Sequence, residues 1–262
     1  MFRPRVIAAL LLRQSGLVKT IKFKKPRYIG DPINAVRLFN DQKADELVFL
    51  DILASRESRT INPHFVEKVG DEADMPFGVG GGIRSIQDIR DITSAGAEKV
   101  IINTYAAENP EFIKHAAEEF GSSTISVSID LKRRFVKNYQ VYTLGGSTAT
   151  GRDPLQFAKL METMGAGELI INSIDRDGTM EGFDIALIQS IADLVSIPVV
   201  ALGGCADLDD MKKARMHGHA SAVAAGSLFV FHGPRRAVLI NYPPQKTLYD
   251  LFDDSGDDQE EE

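Results

Sequence analysis

A single cysteine, Cys205, occurs in the 262 residues, which excludes an intramolecular disulfide and a cysteine-based zinc cluster. That scarcity suits a reducing compartment, and a cytoplasmic location is the expectation. No apolar run reaches the roughly 18 to 20 residues needed to span a bilayer, so no membrane span is expected. The N-terminal stretch MFRPRVIAALLLRQSG starts basic and turns apolar, but Arg13 ends the run and no small-residue cleavage site follows. It reads as a first buried strand. Positive charge is also short: the formal net charge is -7, against a nucleic-acid partner. The five histidines, His64, His115, His217, His219 and His232, show no metal-ligand spacing, and no metal or cofactor is expected. No G-x-S-x-G nucleophile turn is present, and Gly80-Gly81-Gly82 fits neither a Walker nor a Rossmann fingerprint.

What is present is an alternation. Apolar runs at 6–12, 46–52, 75–79, 99–102, 124–129, 168–172, 198–202 and 222–225 read as strands. Helical periodicity starts near Pro32, Asn62, Ser85, Asn109, Asp153, Asp184 and Asp207, with a less defined helix after Pro234. Ser85, Asp184 and Asp207 have the character of N-caps, and Ile86, Ile89 and Ile92 share one helix face. Eight β/α units over this length predict a (β/α)8 TIM barrel, with an open doubly wound sheet as the competing arrangement. Residues 1–243 are assigned to the barrel. Residues 244–262 form a C-terminal segment ending in the acidic stretch DDSGDDQEEE, expected to be disordered.

An internal repeat sharpens the fold. A displacement of 122 residues pairs Pro76 with Pro198, Gly81-Gly82 with Gly203-Gly204, Ser85 with Asp207, Gly96 with Gly218, and Glu46 with Glu168. One offset spanning unrelated features indicates two fused half-barrels.

Barrel chemistry sits at the C-terminal strand ends. Gly80–Gly82 follows the third strand and Gly203-Gly204 the seventh; Asn103-Thr104 and Gly226-Ser227 end the fourth and eighth. Glycine lets backbone N–H groups approach an anion, so two related pockets suit a ligand with two phosphates or sulfates. Tight βα turns are the plainer explanation of any one glycine pair. Asp51, Asp130, Asp175 and Asp177 lie at strand tops, where Asp130 is a candidate general base, or otherwise a helix cap or ion-pair member. At the opposite ends, Arg5, Glu46, Lys99 and Glu168 each precede an apolar strand. Two cations and two anions there form a ring of ion pairs, by position a matter of stability.

The segments ADELVFLDI (44–52), GVGGGIRS (78–85), AGAEKVIINT (95–104), SID (128–130) and GAGELIINSIDRDGT (165–179) resemble the cyclase subunit of imidazole glycerol phosphate synthase over roughly residues 3–232. The resemblance implies a (β/α)8 barrel working with a glutaminase subunit at its N-terminal face. It implies that Asp130 is catalytic, that Asp51 and Asp177 lie near substrate, and that Lys19 sits in a mobile first loop. Gly82, Asn103 and Thr104 then match one phosphate site; Gly178, Gly204, Gly226 and Ser227 match the other. Arg5, Glu46, Lys99 and Glu168 match a charged gate admitting ammonia, which reverses the reading of the ring as purely structural. One departure stands out. The family carries a catalytic aspartate at the end of the first strand, where this chain has Leu11. A hydrocarbon exchanges no protons, and losing such a group typically removes ~10²–10⁴-fold in rate.

LLLRQSGLVKTIKFKKPRYIGDPINAVRLFN (10–40), SIDRDGTMEGFD (173–184) and AAGSLFVFHGPRRAVLINYP (224–243) resemble a paralogue of that cyclase associated with acetamidino modification of bacterial surface sugars, in lipopolysaccharide or flagellar glycans. Leu144 departs from a histidine common there. This resemblance implies an ammonia-handling subunit acting with a glutaminase and an ATP-using sugar amidotransferase on a phosphate-bearing small molecule or sugar nucleotide. Asp130 and Asp177 are then binding or residual acid-base groups. The alternatives are a true cyclase-lyase of histidine biosynthesis and a noncatalytic scaffold that activates a glutaminase.

Overall fold

The computed structural model describes residues 3–135 and 138–253. Eight strands carry the architecture: β1 (Arg5–Arg13), β2 (Glu46–Asp51), β3 (Phe77–Gly80), β4 (Lys99–Ile102), β5 (Ile125–Phe135), β6 (Glu168–Ser173), β7 (Val199–Leu202) and β8 (Ala222–Ala225). Each pairs in parallel with the next, and β8 pairs with β1, so the sheet closes on itself. Helices α1 (Pro32–Asp41), α2 (Pro63–Gly70), α3 (Ile86–Ser94), α4 (Glu111–Phe120), α5 (Pro154–Thr163), α6 (Ile185–Ala192) and α7 (Leu208–Met216) cover the outside, and α8 (Gln245–Leu251) comes last. This is a (β/α)8 barrel, and closure rules out the open sheet. No helix among the described residues is long and apolar enough to cross a membrane.

Strand periodicity sorts residues between two cores. In β1, Val6, Ala8, Leu10 and Leu12 pack outward in the shell between strands and helices, while Ile7 points into the barrel. Ile7, Val48, Ile101, Ile170, Val200, Ala222 and Ala224 form a separate inner cluster, with Leu50 and Leu202 above them. Each large side chain so buried contributes about 1.5–3 kcal/mol. The inner cluster separates a charged lower end from an open upper end.

Local signals explain the helix starts. Asp31, Asn62 and Asp153 accept backbone N–H groups ahead of a first-turn proline. Ser85 forms a capping box with Asp88, and Asp207 accepts from the Asp210 N–H. The half-barrel offset extends to this detail: Asp88 accepts from the Arg84 N–H, and Asp210 accepts from the Ala206 N–H. Asp184 departs from expectation. It makes no side-chain cap bond; its carboxylate accepts from the Tyr139 hydroxyl at 2.5 Å instead.

Several strands were not anticipated. Gly16–Ile21 and Lys24–Gly30 form a hairpin over the upper end, and Asn138–Thr143 pairs antiparallel with the extension of β5. Lys19, expected in a mobile loop, therefore lies in a paired strand. Lys22 and Phe23 turn this hairpin with φ of 53° and 59°. The Lys22 N–H donates to the Asp177 carbonyl at 2.9 Å and the Phe23 N–H to the Asp177 carboxylate at 3.1 Å, which supports a left-handed turn built without glycine.

The helix expected after Pro234 is α8. Leu248 enters the outer core, Gln245 bonds Asp45, and the Tyr242 hydroxyl donates to the Val6 carbonyl at 2.8 Å. These contacts anchor the segment beside the lower rim. The acidic stretch at 254–262 lies outside the described residues.

Candidate functional site

The upper end opens into a cavity of about 860 Å³. Lys19, Asp51, Gly82, Asn103, Thr104, Asp130, Asp177, Gly178, Gly204, Gly226 and Ser227 all line it. The fold thus gathers these residues from segments as far apart as 19 and 227, while Asp175, also expected at a strand top, lies outside the cavity and accepts from the Arg133 N–H at 2.7 Å. Leu11 lines the same cavity.

Asp130 tops β5 opposite Asn172 of β6, whose Nδ2 donates to its Oδ1 at 3.2 Å. Burial pushes the Asp130 carboxyl up to about 7; Asn172 opposes the rise, Asp177 adds to it, and Asn103 opposes it. That value places Asp130 where it exchanges protons near neutrality. Asp177, also raised by burial, is held back by the Thr20 hydroxyl at 2.7 Å, the Phe23 N–H and the nearby Lys19 ammonium. Lys19 is almost fully buried, and burial pushes its ammonium down to about 8 against the pull of Asp177. Its Nζ donates to the Ala9 carbonyl. A Cβ on Gly226 would lie 2.3 Å from that nitrogen, so glycine leaves the space the lysine occupies. The ammonium therefore lies against Gly226, one member of the second-half group of Gly178, Gly204, Gly226 and Ser227.

Asp51 is differently placed. Its carboxylate accepts from Arg59 at 2.5 and 3.2 Å and from the Leu53 and Ala54 N–H groups. Its role in this geometry is to hold the loop after β2. Gly82, with φ of 66°, packs so closely on that loop that a Cβ would fall 1.8 Å from the Arg59 carbonyl. The plain steric reason for this glycine and its setting beside an arginine coexist. Asn103 donates from Nδ2 to the Ser128 carbonyl at 2.8 Å, and the Thr104 hydroxyl accepts from the Leu144 N–H at 3.1 Å.

Cations missed in the sequence rim the cavity: Arg13, Lys24, Lys25, Arg56, Arg59 and Arg84. Arg56 is tied to the Leu144 and Gly145 carbonyls, and Arg84 to the Ser58 carbonyl. The recurring arginines of SRESRT after Asp51 were the available signal. Cys205 adjoins Gly204, but burial pushes its thiol up, which removes it as a nucleophile.

At the lower end the four predicted charges meet. Arg5 bridges Glu46 and Glu168. Lys99 Nζ lies 3.1 Å from Glu46 Oε1 and 3.3 Å from Glu168 Oε1. The ring alternates in sign and closes the barrel floor. Ser126, not anticipated, adds a hydroxyl that donates to Glu168 Oε1 at 3.2 Å.

The comparisons agree with this architecture. The chain matches the family described as "Histidine biosynthesis protein" over residues 5–234. It is 47% identical over 248 residues to the Pseudomonas aeruginosa protein named "Putative imidazole glycerol phosphate synthase subunit hisF2", covering 95% of this chain and 99% of that one. It is 43% identical over 253 residues to the Leptospira interrogans "Putative imidazole glycerol phosphate synthase subunit HisF", covering 96% and 100%. A Vibrio vulnificus protein named as subunit hisF3 is 43% identical over 244 residues, covering 93% and 94%. With matches of this length and identity on a closed eight-stranded barrel, the chain belongs to the histidine biosynthesis protein family.

Proposed function

We propose that this barrel is the ammonia-handling subunit of a glutamine-dependent amidotransferase complex for acetamidino modification of a bacterial surface sugar. A glutaminase docks on the N-terminal face and releases ammonia at the ring of Arg5, Glu46, Lys99 and Glu168. The upper cavity receives a phosphate-bearing molecule or sugar nucleotide, or presents ammonia to an ATP-using sugar amidotransferase seated there. The groups around Gly82, Asn103 and Thr104 and around Gly178, Gly204, Gly226 and Ser227 hold anionic groups of the ligand, with Lys19 supplying positive charge to the second. Asp130 exchanges protons, and Asp177, whose carboxylate holds the hairpin turn through the Thr20 hydroxyl and the Phe23 N–H, contributes to binding.

The observation that carries this reading is Leu11. It faces the cavity where imidazole ring closure needs an acid, and no neighbouring carboxylate substitutes for it. Asp51 is committed to Arg59, and Asp177 to the hairpin turn. A second reading, ring closure itself, draws on the names of the relatives and on the buried Asp130 with its raised pKa. The discriminating experiment supplies the histidine-pathway ring-closure substrate with ammonium, without glutaminase. Very slow turnover is expected, rising at least about 10²-fold in Leu11→Asp. Robust turnover by the unaltered protein would overturn the amidation reading in favour of ring closure.

A further inference from the structure

A second pocket lies outside the main cavity. Strand alternation turns Asn172 into the barrel and its neighbour Ser173 to the other side of β6. There Ser173 borders a separate space of about 360 Å³. The end of β5 supplies Arg133 and Arg134, and the loop after β6 supplies Arg176. The turn of the upper hairpin contributes Lys22. None of these four cations lines the main cavity.

Two acids share the pocket, and each is already engaged. The Asp184 carboxylate accepts from the Tyr139 hydroxyl at 2.5 Å and lies 3.9 Å from Arg176 Nε. Asp175 Oδ2 accepts from the Arg133 N–H at 2.7 Å. Four cations against two carboxylates leave a formal excess of two positive charges. Donors are in excess too. Arg133 uses Nε and Nη2 on the Tyr139 hydroxyl, Arg134 uses Nη1 on Gln140, and Arg176 uses Nη1 on the Glu181 and Gly182 carbonyls. Each guanidinium carries five N–H groups, so each keeps donors to spare. The Lys22 ammonium has no partner among the described residues. Ser173 is 3% exposed, and its hydroxyl likewise has no hydrogen-bond partner among them. A buried hydroxyl left unpaired is costly, and one bordering a cationic pocket calls for an acceptor from a ligand.

That excess defines the ligand's chemistry. The cations arrive from three segments of the chain, so they surround a group rather than grip it in one plane. A planar carboxylate suits a single guanidinium fork. A phosphate monoester offers three acceptor oxygens and close to two negative charges, which matches both the number of directions and the excess.

We propose that this pocket binds the phosphate monoester of a small metabolite, whatever molecule occupies the main cavity. Arg133, Arg134, Arg176 and the Ser173 hydroxyl hold the phosphate, and the phosphate in turn fastens Lys22. The Lys22 and Phe23 N–H groups already bond Asp177, so an anion here steadies the hairpin over the main cavity from its outer side.

The test uses the full-length chain with ¹⁵N-labelled arginine. It follows the Nε–H resonances of Arg133 and Arg176 near neutral pH as inorganic phosphate is added, with ionic strength held constant by sodium chloride. Both resonances are expected to move along a saturating curve. Arg134→Glu cancels the charge excess and is expected to raise the midpoint at least about tenfold; Ser173→Ala is expected to raise it about fivefold for one lost hydrogen bond. Lys68→Glu, the same charge change on the exposed side of α2, is expected to leave the midpoint unchanged. Acetate is expected to bind at least about tenfold more weakly than phosphate. Amide hydrogen exchange at Phe23 is expected to slow about threefold with phosphate in the unaltered protein and not in Arg134→Glu. Shifts that never saturate, or a midpoint that Arg134→Glu and Ser173→Ala both leave in place, would overturn the site. Ser173→Ala decides alone if the glutamate variant does not fold. Acetate binding as tightly as phosphate would overturn the ligand class. Equal protection of Phe23 in Arg134→Glu would trace the effect to the main cavity and overturn the link to the hairpin.

Discussion

The two ends of the barrel use the same side-chain chemistry with opposite results. At the lower end, two carboxylates meet two cations, and each charge has at least two opposite partners within contact. At the upper end, half-buried Asp177 lies near one buried ammonium, Lys19, and buried Asp130 has amides and the Asp177 carboxylate as its neighbours. Pairing satisfies the first set. The second set is short of one cation, so burial governs it: Asp130 rises to about 7 and Lys19 falls to about 8. Both groups thus titrate in the range where a reacting or binding group is useful. The lower end is compensated charge by charge, and the upper end holds groups whose protonation burial has moved.

The largest effect that sharpens this contrast is expected from Asp130→Asn. In the complete complex it should lower amidation about 10²-fold while glutamine hydrolysis continues, since an amide keeps the shape but exchanges no proton. The unaltered protein should show an inflection near pH 7 in its amidation rate, absent in the variant. Unchanged product formation would reduce the upper end to a scaffold and erase its difference from the lower one. A smaller effect is expected at the lower ring. Lys99→Met leaves two carboxylates to Arg5 alone, and the ratio of amidated product to glutamate should fall about tenfold, equivalent to about 1.4 kcal/mol in partitioning. Retention of full coupling would make the ring structural only.

What was legible in the sequence follows the same division. The barrel strands are short, continuous apolar runs buried on both sides, and such runs announce themselves. The ring charges sit one residue before those runs, so their convergence followed from closure alone. The upper site was legible in membership but not in state. Lys19 is a residue type seldom buried, and nothing near it in sequence signals a lid. Its hairpin is the polar stretch KTIKFKKPRYIG, and the turn depends on Asp177, a partner 154 residues from Phe23. Asp51 kept its strand-top position but spends its oxygens on Arg59, a contact that spacing does not reveal. Asp184 looked like a cap because aspartate precedes a helix there, yet Tyr139 captures it across the β5 hairpin. Net charge was the least informative signal. The seven acidic residues from Asp253 to Glu262 equal the whole formal charge of -7, leaving the rest of the chain neutral and its cavity rim cationic.

The smallest effect tests whether the upper groups carry a folding penalty that the lower groups do not. Asp130 has a folded pKa near 7 against 3.8 for an unconstrained side chain. Between those values the unfolded chain has released a proton that the folded one retains. Stability contributed by this residue is therefore unaffected below about pH 3.8 and declines as pH rises towards 7. Lys19 acts in another window and with the opposite slope. Its folded pKa near 8 lies below 10.5, so its penalty is fully present below about 8 and is relieved as pH climbs towards 10.5. Asp130→Asn should accordingly be more stable than the unaltered protein at pH 7.5, by ~1 kcal/mol given that the cavity admits water, a difference that shrinks towards pH 4.5. Urea unfolding midpoints at the two pH values measure it. Equal gains at both would mean that Asp130 carries no raised pKa, and that the upper end is as fully compensated as the ring below.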